Sequence, residues 1–389
     1  MSVELALTPT VPSAELTVAT ADDAEKPVLR ITTPVQLLNL VPYLFGFHPD
    51  NSLVVIGTKG SRPTLEVTLR FPLRELGIPN LAAIVVRHTI RILTAQQCTR
   101  AFVVGYGPED QVTRLVDLFR NAAAGHGIDV PEIIRTDGQR YWSYACTDPT
   151  CCPPEGTPYE LRPDPALAHL LHDGTTEVLA SRESLAELVA PATGADATAA
   201  RQATRRAEAR MIRLLDQVPA SAGEPSGRAL VVREGIEMMT AALRIYRVGG
   251  DLPRSAKARL TVGLREFQVR DNAWARLDKE HAKEDLRLLL DLTRIARGVY
   301  VAAPATLLAF VAWRSGNGAL ANVALARALG GDRNYKLADA LSVAVLCLPP
   351  SMARMPFTPE MVAEEYRKRS ATDGGRGEGN SADPGSAEQ

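Results

Sequence analysis

Near residue 195 the hydrophobic pattern of this 389-residue chain changes period. Before that point, short apolar runs that suit strands alternate with longer stretches at helical spacing. After it, only helical spacing remains, over 197–217, 227–247, 255–276, 281–297, 304–315, 319–329 and 336–347. One sheet cannot draw strands from both halves. The chain must build a strand-containing domain first and a helical one second.

Local signals sharpen the first half. Thr33, Pro34 and Gln36 form a helix start, with Thr as cap, Pro at the first helical position and Gln completing a capping box. Pro42 is expected to end that helix. Leu53–Gly57 and Leu65–Phe71 read as strands joined by a short turn, and Leu81–Leu93 as a helix. Ala101–Gly105 is a strand, Pro108 opens an amphipathic helix, and Val130–Arg135 is a further strand. Asp137-Gly138 is a hairpin turn that returns the chain through Arg140–Ala145.

Composition narrows the function classes. The formal net charge is −1, which argues against nucleic acid or an anionic membrane as a partner. The longest uncharged run, Gly298–Trp313, contains Pro304 and reads as a buried helix, not a membrane span. There is no secretory signal and the cysteine count, five, is odd, so a reducing cytoplasm is expected. Residues 1–27 read as a disordered arm and 371–389 as a disordered tail, because neither holds enough apolar side chains to offset ordering entropy.

The block LLNLVPYLFGFHPDNSLVVIG (Leu37–Gly57) and the later block RYWSYACTDPTCCPPEGTPY (Arg140–Tyr159) resemble an actinobacterial domain-of-unknown-function family numbered 4192, from Leu29 to about Pro350. The resemblance implies an intracellular actinobacterial protein and two blocks that belong together. It carries no activity over.

The fold expected is an α/β N-terminal domain over 28–192 with a mixed, mostly parallel three-layer sheet. An all-α helical-bundle domain follows over 193–356, then a short helix or extension over 357–370. Ala312–Leu329, AWRSGNGALANVALARAL, is similar to the second part of a tetratricopeptide repeat, although Arg333 stands where such repeats have Pro and no second copy follows.

Chain direction locates two candidate sites. Strand–helix–strand connections make the strands at 65–71, 101–105 and 130–135 parallel, and the strand at 53–57 opposed to them. His48 and Asp50 then lie beside Arg70, Tyr106, Gly107 and Asp137 at the carboxyl edge, where α/β sheets bind ligands. His48 is the one plausible acid or base there at neutral pH, and the Gly105–Gly107 turn leads into a helix N-terminus. Read locally instead, Pro49-Asp50-Asn51 is a tight turn.

Cys146, Cys151 and Cys152 fall near the amino edge, roughly 20 Å or more from His48 at about 3.3 Å per strand residue. Their nearest partners there are Cys98 and His126. The loop could be a structural Pro-rich turn, a tetrahedral zinc site, a reversible Cys146–Cys151 or Cys146–Cys152 bond, or a nucleophile without an evident base. No cofactor is expected, zinc being the one these residues could hold.

His169 and His172 lie one helical turn apart and read as surface histidines. Arg201, Arg205, Arg206, Arg210 and Arg213 read as a solvated helix face. The function expected is a non-enzymatic cytoplasmic scaffold or sensor whose helical domain binds a protein partner. The alternative is a small-molecule-binding protein or enzyme acting at the carboxyl edge.

Overall fold

The computed structural model describes residues 2–7, 14–19, 29–31, 33–60, 64–78, 80–163, 178–217, 226–348, 352 and 357–374. The chain divides into two compact units, residues 1–185 and 186–389.

The first unit opens with β1 (Ser2–Leu7), β2 (Ala14–Ala19) and β3 (Leu29–Ile31), an antiparallel three-stranded sheet. Two of these strands fall within the arm expected to lack structure. In register, Val3 pairs with Val18, Leu5 with Leu16 and Leu7 with Ala14, over strands too short to stand out from the sequence.

Helix α1 (Pro34–Phe45) begins as its sequence dictates. The Thr33 hydroxyl accepts from the Gln36 amide N–H, and the Gln36 side chain accepts from that of Thr33, both at 3.2 Å. Pro42 does not end it. The helix runs on to Phe45, with Tyr43 and Phe45 buried, and stops at Gly46 in the left-handed conformation (φ 75°). Tertiary burial of the last turn outweighs the proline's missing donor.

Strands β4 (Ser52–Lys59), β5 (Thr64–Pro72), β6 (Arg100–Tyr106), β7 (Asp129–Thr136), β8 (Arg140–Ser143) and β9 (Thr157–Pro158) form a six-stranded sheet ordered β5-β4-β6-β7-β8-β9. Helices α2 (Leu73–Leu76), α3 (Leu81–Ala95) and α4 (Glu109–Ala124) connect them. The sheet is mixed but not mostly parallel: only β6 and β7 pair in parallel. β5 and β6 do point the same way, as their helical crossover requires. β4 inserts between them and pairs antiparallel with both.

Odd-numbered residues of the central strands (Leu53, Val55, Val103, Ile133) pack with Val86, Ile90, Leu93, Val112, Val116 and Phe119 of α3 and α4. Even-numbered Val54, Ile56, Phe102, Val104 and Ile134 are also fully buried. Such strands read as unbroken apolar runs because both faces are covered.

The second unit is helical. Its helices are α5 (Arg182–Leu188, which begins in the first unit), α6 (Gly194–Leu215), α7 (Gly227–Arg247), α8 (Arg254–Gly263), α9 (Phe267–Ala275), α10 (Ala282–Ile295), α11 (Ala302–Arg314), α12 (Gly318–Gly331), α13 (Lys336–Cys347) and α14 (Pro359–Gly374). α11 packs on α12 through alanines at 305, 309, 312, 321, 324 and 328, all fully buried, whose small side chains let the backbones approach. Asn317 caps α12 by accepting from Leu320 N–H at 2.9 Å. α14 extends to Gly374, past the expected limit at 370, and residues 375–389 of the expected tail lie outside the described residues. No described helix is long and apolar enough to cross a membrane.

Candidate functional site

Sheet register brings the predicted carboxyl-edge residues to one row. Ser52 pairs with Tyr106, Tyr106 with Thr136, Thr136 with Tyr141, and Tyr141 with Thr157. The loop carrying His48 and Asp50, the turn at Gly107 and the turn at Asp137 all open at this edge.

Most polar groups in the row are already engaged. Asp50 closes its own turn, accepting from the backbone and side-chain N–H groups of Asn51 at 2.8 Å each. Arg70 donates to Ser52 Oγ at 3.2 Å and to the Asp50 carbonyl at 3.4 Å, and lies over the Phe47 ring. Asp137 accepts from Gln139 and Arg140 N–H at 2.9 and 2.7 Å. Desolvation opposes its ionisation, but these donors outweigh it and hold the carboxyl below its usual range.

Gly107 donates to the Thr136 carbonyl at 3.0 Å, so that N–H is not free for an anion. Its φ is 148°, and a Cβ there would meet Leu73 Cδ1 at 2.6 Å, which restricts the position to glycine.

Two groups remain. His48 is exposed, is tied by its backbone N–H to the Leu179 carbonyl, and has its pKa lowered by desolvation. Tyr106 is buried, and its hydroxyl has no hydrogen-bond partner among the described residues. Burial, then the neighbouring Tyr159, pushes that phenol's pKa well up. Tyr159 and Thr136, whose hydroxyls bond at 2.8 Å, complete the row and carry no motif that would mark them in the sequence. An unpartnered buried hydroxyl is costly. Tyr106→Phe is therefore expected to raise stability by about 1 kcal/mol in denaturant unfolding of the ligand-free protein. A loss of stability would show that the hydroxyl is satisfied.

The cysteine loop is built on β8. Ser143 Oγ donates to Glu132 at 2.7 Å and accepts from the N–H groups of Ala145 and Cys146 at 3.1 and 3.2 Å. Five residues on, the Asp148 carboxylate accepts from Thr150 N–H at 2.8 Å, and its carbonyl accepts from Cys151 and Cys152 N–H at 3.2 and 2.7 Å. This turn brings the second and third cysteines back to the first.

Trp142 supports the loop from below. Its ring lies 3.6 Å from the Arg135 guanidinium, which itself pairs with Glu109. Its Nε1 donates to the Pro154 carbonyl at 3.0 Å. Gly156, with φ 82°, passes so close that a Cβ would lie 2.5 Å from the ring. Arg140 donates to the Gly156 carbonyl at 2.7 Å and closes the loop.

The three sulfurs, Sγ of Cys146, Cys151 and Cys152, lie within 4.8 Å of one another. Cys98 and His126 are not in this group. Cys98 turns into the core between Gly57 and Leu93, where burial pushes its thiol up to about 12. The His126 ring folds back on α4, with Nδ1 2.9 Å from the Ala122 carbonyl. Burial first, then the flanking thiols of Cys146 and Cys151, raises the pKa of Cys152. That direction opposes nucleophilic use, which needs a thiolate near neutral pH. Three clustered sulfurs instead suit a soft or borderline metal ion, or thiol oxidation.

His169 and His172 lie outside the described residues. On α6, Arg210 forms a bidentate pair with Glu234 of α7, at 3.0 and 2.8 Å.

No curated protein and no solved structure matches the chain. One family model does, over residues 34–350, and it takes in both the His48–Asp50 loop and the cysteine loop. The chain thus belongs to the family described as a domain of unknown function, DUF4192.

Proposed function

We propose that the chain is a non-enzymatic module whose α/β unit holds a thiophilic metal ion, Zn²⁺ in the first instance, through Cys146, Cys151 and Cys152. The observation that carries this reading is the convergence of three sulfurs within 4.8 Å in a loop held by Ser143, Asp148 and Trp142. Three thiolates leave one position of a tetrahedral ion for water or a partner's side chain. A metal whose last ligand comes from elsewhere suits a sensor or scaffold. The α11–α12 hairpin supports a partner-docking role for the helical unit, in the manner of a tetratricopeptide pair.

The test is metal analysis of protein purified without added zinc, with Co²⁺ titration of the reduced apo form. One equivalent of metal and a thiolate charge-transfer band are expected. Single Cys146→Ser, Cys151→Ser and Cys152→Ser variants should each lose the band while keeping the fold by circular dichroism. Each thiol must release its proton to bind, so affinity should fall as pH is lowered from 8 to about 6. Metal content near zero, together with no band on titration, would sink the reading.

A second reading, a small-molecule site at the carboxyl edge used for binding or catalysis, is favoured by the buried Tyr106 hydroxyl, which has no partner among the described residues. A metabolite panel should then raise the melting temperature, and His48→Ala should abolish the shift. A flat panel removes this alternative.

A further inference from the structure

Several arginines of the helical unit are paired with carboxylates. Arg247 holds Asp285, Arg210 and Arg259 share Glu234, and Arg270 holds Asp271. Others are not: Arg287 and Arg314 rest on backbone carbonyls. Among the described residues, no carboxylate pairs with Arg201, Arg297 or Arg327.

The fold gathers these three from separate elements. Arg297 follows the C-terminal end of α10 and donates to the Ala192 carbonyl, while Ala192 N–H donates to the Arg294 carbonyl at 3.1 Å. The segment at Ala192 is thereby tied to the end of α10 and leads directly into α6. Arg201 stands two turns along α6, its guanidinium on Thr198 Oγ1 at 2.9 Å. Arg327 reaches from α12 to the Ala296 carbonyl, also at the end of α10, at 3.4 Å. Ala200 of α6 and Ile295 of α10 share one apolar cluster beneath.

The mutual approach is registered in their ionisation. Burial, then the charge of Arg201, lowers the pKa of Arg297; burial, then the charge of Arg297, lowers that of Arg327. No acid offsets either shift. The negative end of α10 explains part of the cluster, since the Ala296 carbonyl there accepts from Arg327, while Arg297 is held by the Ala192 carbonyl ahead of α6. It leaves both Nε–H groups buried and without partners. Arg259 and Arg314 also carry an unpartnered Nε, but each has a carboxylate partner or neighbour: Glu234 for the first, Asp285 and Asp278 for the second.

We infer that Arg201, Arg297 and Arg327 form a receptor for a doubly charged oxyanion of the phosphate class. Forked guanidinium donors match tetrahedral oxyanions bidentately, and a dianion would relieve the repulsion among the three charges. The site lies in the helical unit and does not depend on the cysteine loop.

Isothermal titration of the full chain with inorganic phosphate, and separately with a small phosphomonoester, in chloride buffer at constant ionic strength tests this. Saturable binding of at least one is expected. Equal affinity identifies the phosphate group alone as the ligand, and tighter ester binding identifies a ligand that extends beyond it. Arg297→Gln and Arg327→Gln should each weaken binding at least about tenfold. Both variants should melt no lower than wild type in chloride, because a like charge has been removed. Arg205→Gln, on the same helix, should bind as wild type does. No saturable binding to the wild-type chain, or equal weakening by Arg205→Gln, overturns the proposal.

Discussion

Asp285→Ala is expected to lower the unfolding free energy by about 3–5 kcal/mol, the usual consequence of stripping one partner from a buried ion pair. Asp285 is fully buried on α10. Its two oxygens take Arg247 Nε and Nη2 at 3.0 and 2.8 Å, which binds α10 to α7. The same guanidinium donates to the Arg276 carbonyl at 2.9 Å and pairs with Asp278 at 3.2 Å, so it also pins the turn between α9 and α10. Without Asp285, Arg247 keeps the half-exposed Asp278 as its ion-pair partner, with the charge of Glu284 nearby.

The pair also carries a signature that separates breaking it from replacing it. Burial raises the Asp285 carboxyl, and the Arg247 guanidinium opposes the rise without cancelling it. At Asp285 desolvation thus exceeds the attraction, whereas at the less buried Arg247 the carboxylates prevail. The double variant Asp285→Leu with Arg247→Met should therefore recover most of the stability lost by either single change. Urea unfolding followed by circular dichroism measures all three. A double variant less stable than both singles would mean that the pair is net stabilising and that this account of it is wrong.

Gly156→Ala should weaken metal binding by about 10- to 100-fold, the range found when groups that orient metal ligands are disturbed. Gly156 has φ 82°, and its new Cβ would lie 2.5 Å from Trp142 Cε2. The ring must then move off Arg135 and away from the Pro154 carbonyl, both of which fix the path from Cys146 to Cys152. Gly138→Ala is the matched control. Its φ is 93°, so it shares the backbone strain, but a Cβ there meets nothing within 4 Å. Competition with a chelator for Zn²⁺, alongside tryptophan fluorescence, separates the two. Equal weakening in both variants would assign the effect to strain and remove Trp142 from the support of the site.

Much of the architecture was legible because its causes are local. The Thr33–Gln36 capping box, the start of α4 after Pro108 with Glu109 and Asp110 in its first turn, and the Asp137-Gly138 hairpin each depend on residues within a few positions of one another. Chain direction was legible for the same reason. A short turn reverses a strand and a helical crossover preserves its direction, so His48, Tyr106 and Asp137 had to open at one edge. The burial of Trp313, and the edge-to-face contact of Trp274 with Phe310, follow from helical periodicity in the same way.

By itself, then, the sequence determined the class of each unit, the caps and turns, and the edge at which the first candidate site opens. The tertiary structure alone decided that β4 enters between β5 and β6, that Cys146 meets Cys151 and Cys152 but not Cys98 or His126, and that Arg201, Arg297 and Arg327 have no carboxylate partner among the described residues. The physical reason is range. Caps, turns and periods are short-range interactions written in neighbouring residues. Strand order and the direction in which a thiol or guanidinium points are settled by packing between segments tens of residues apart, where side-chain volume and register choose among arrangements that the local pattern permits equally.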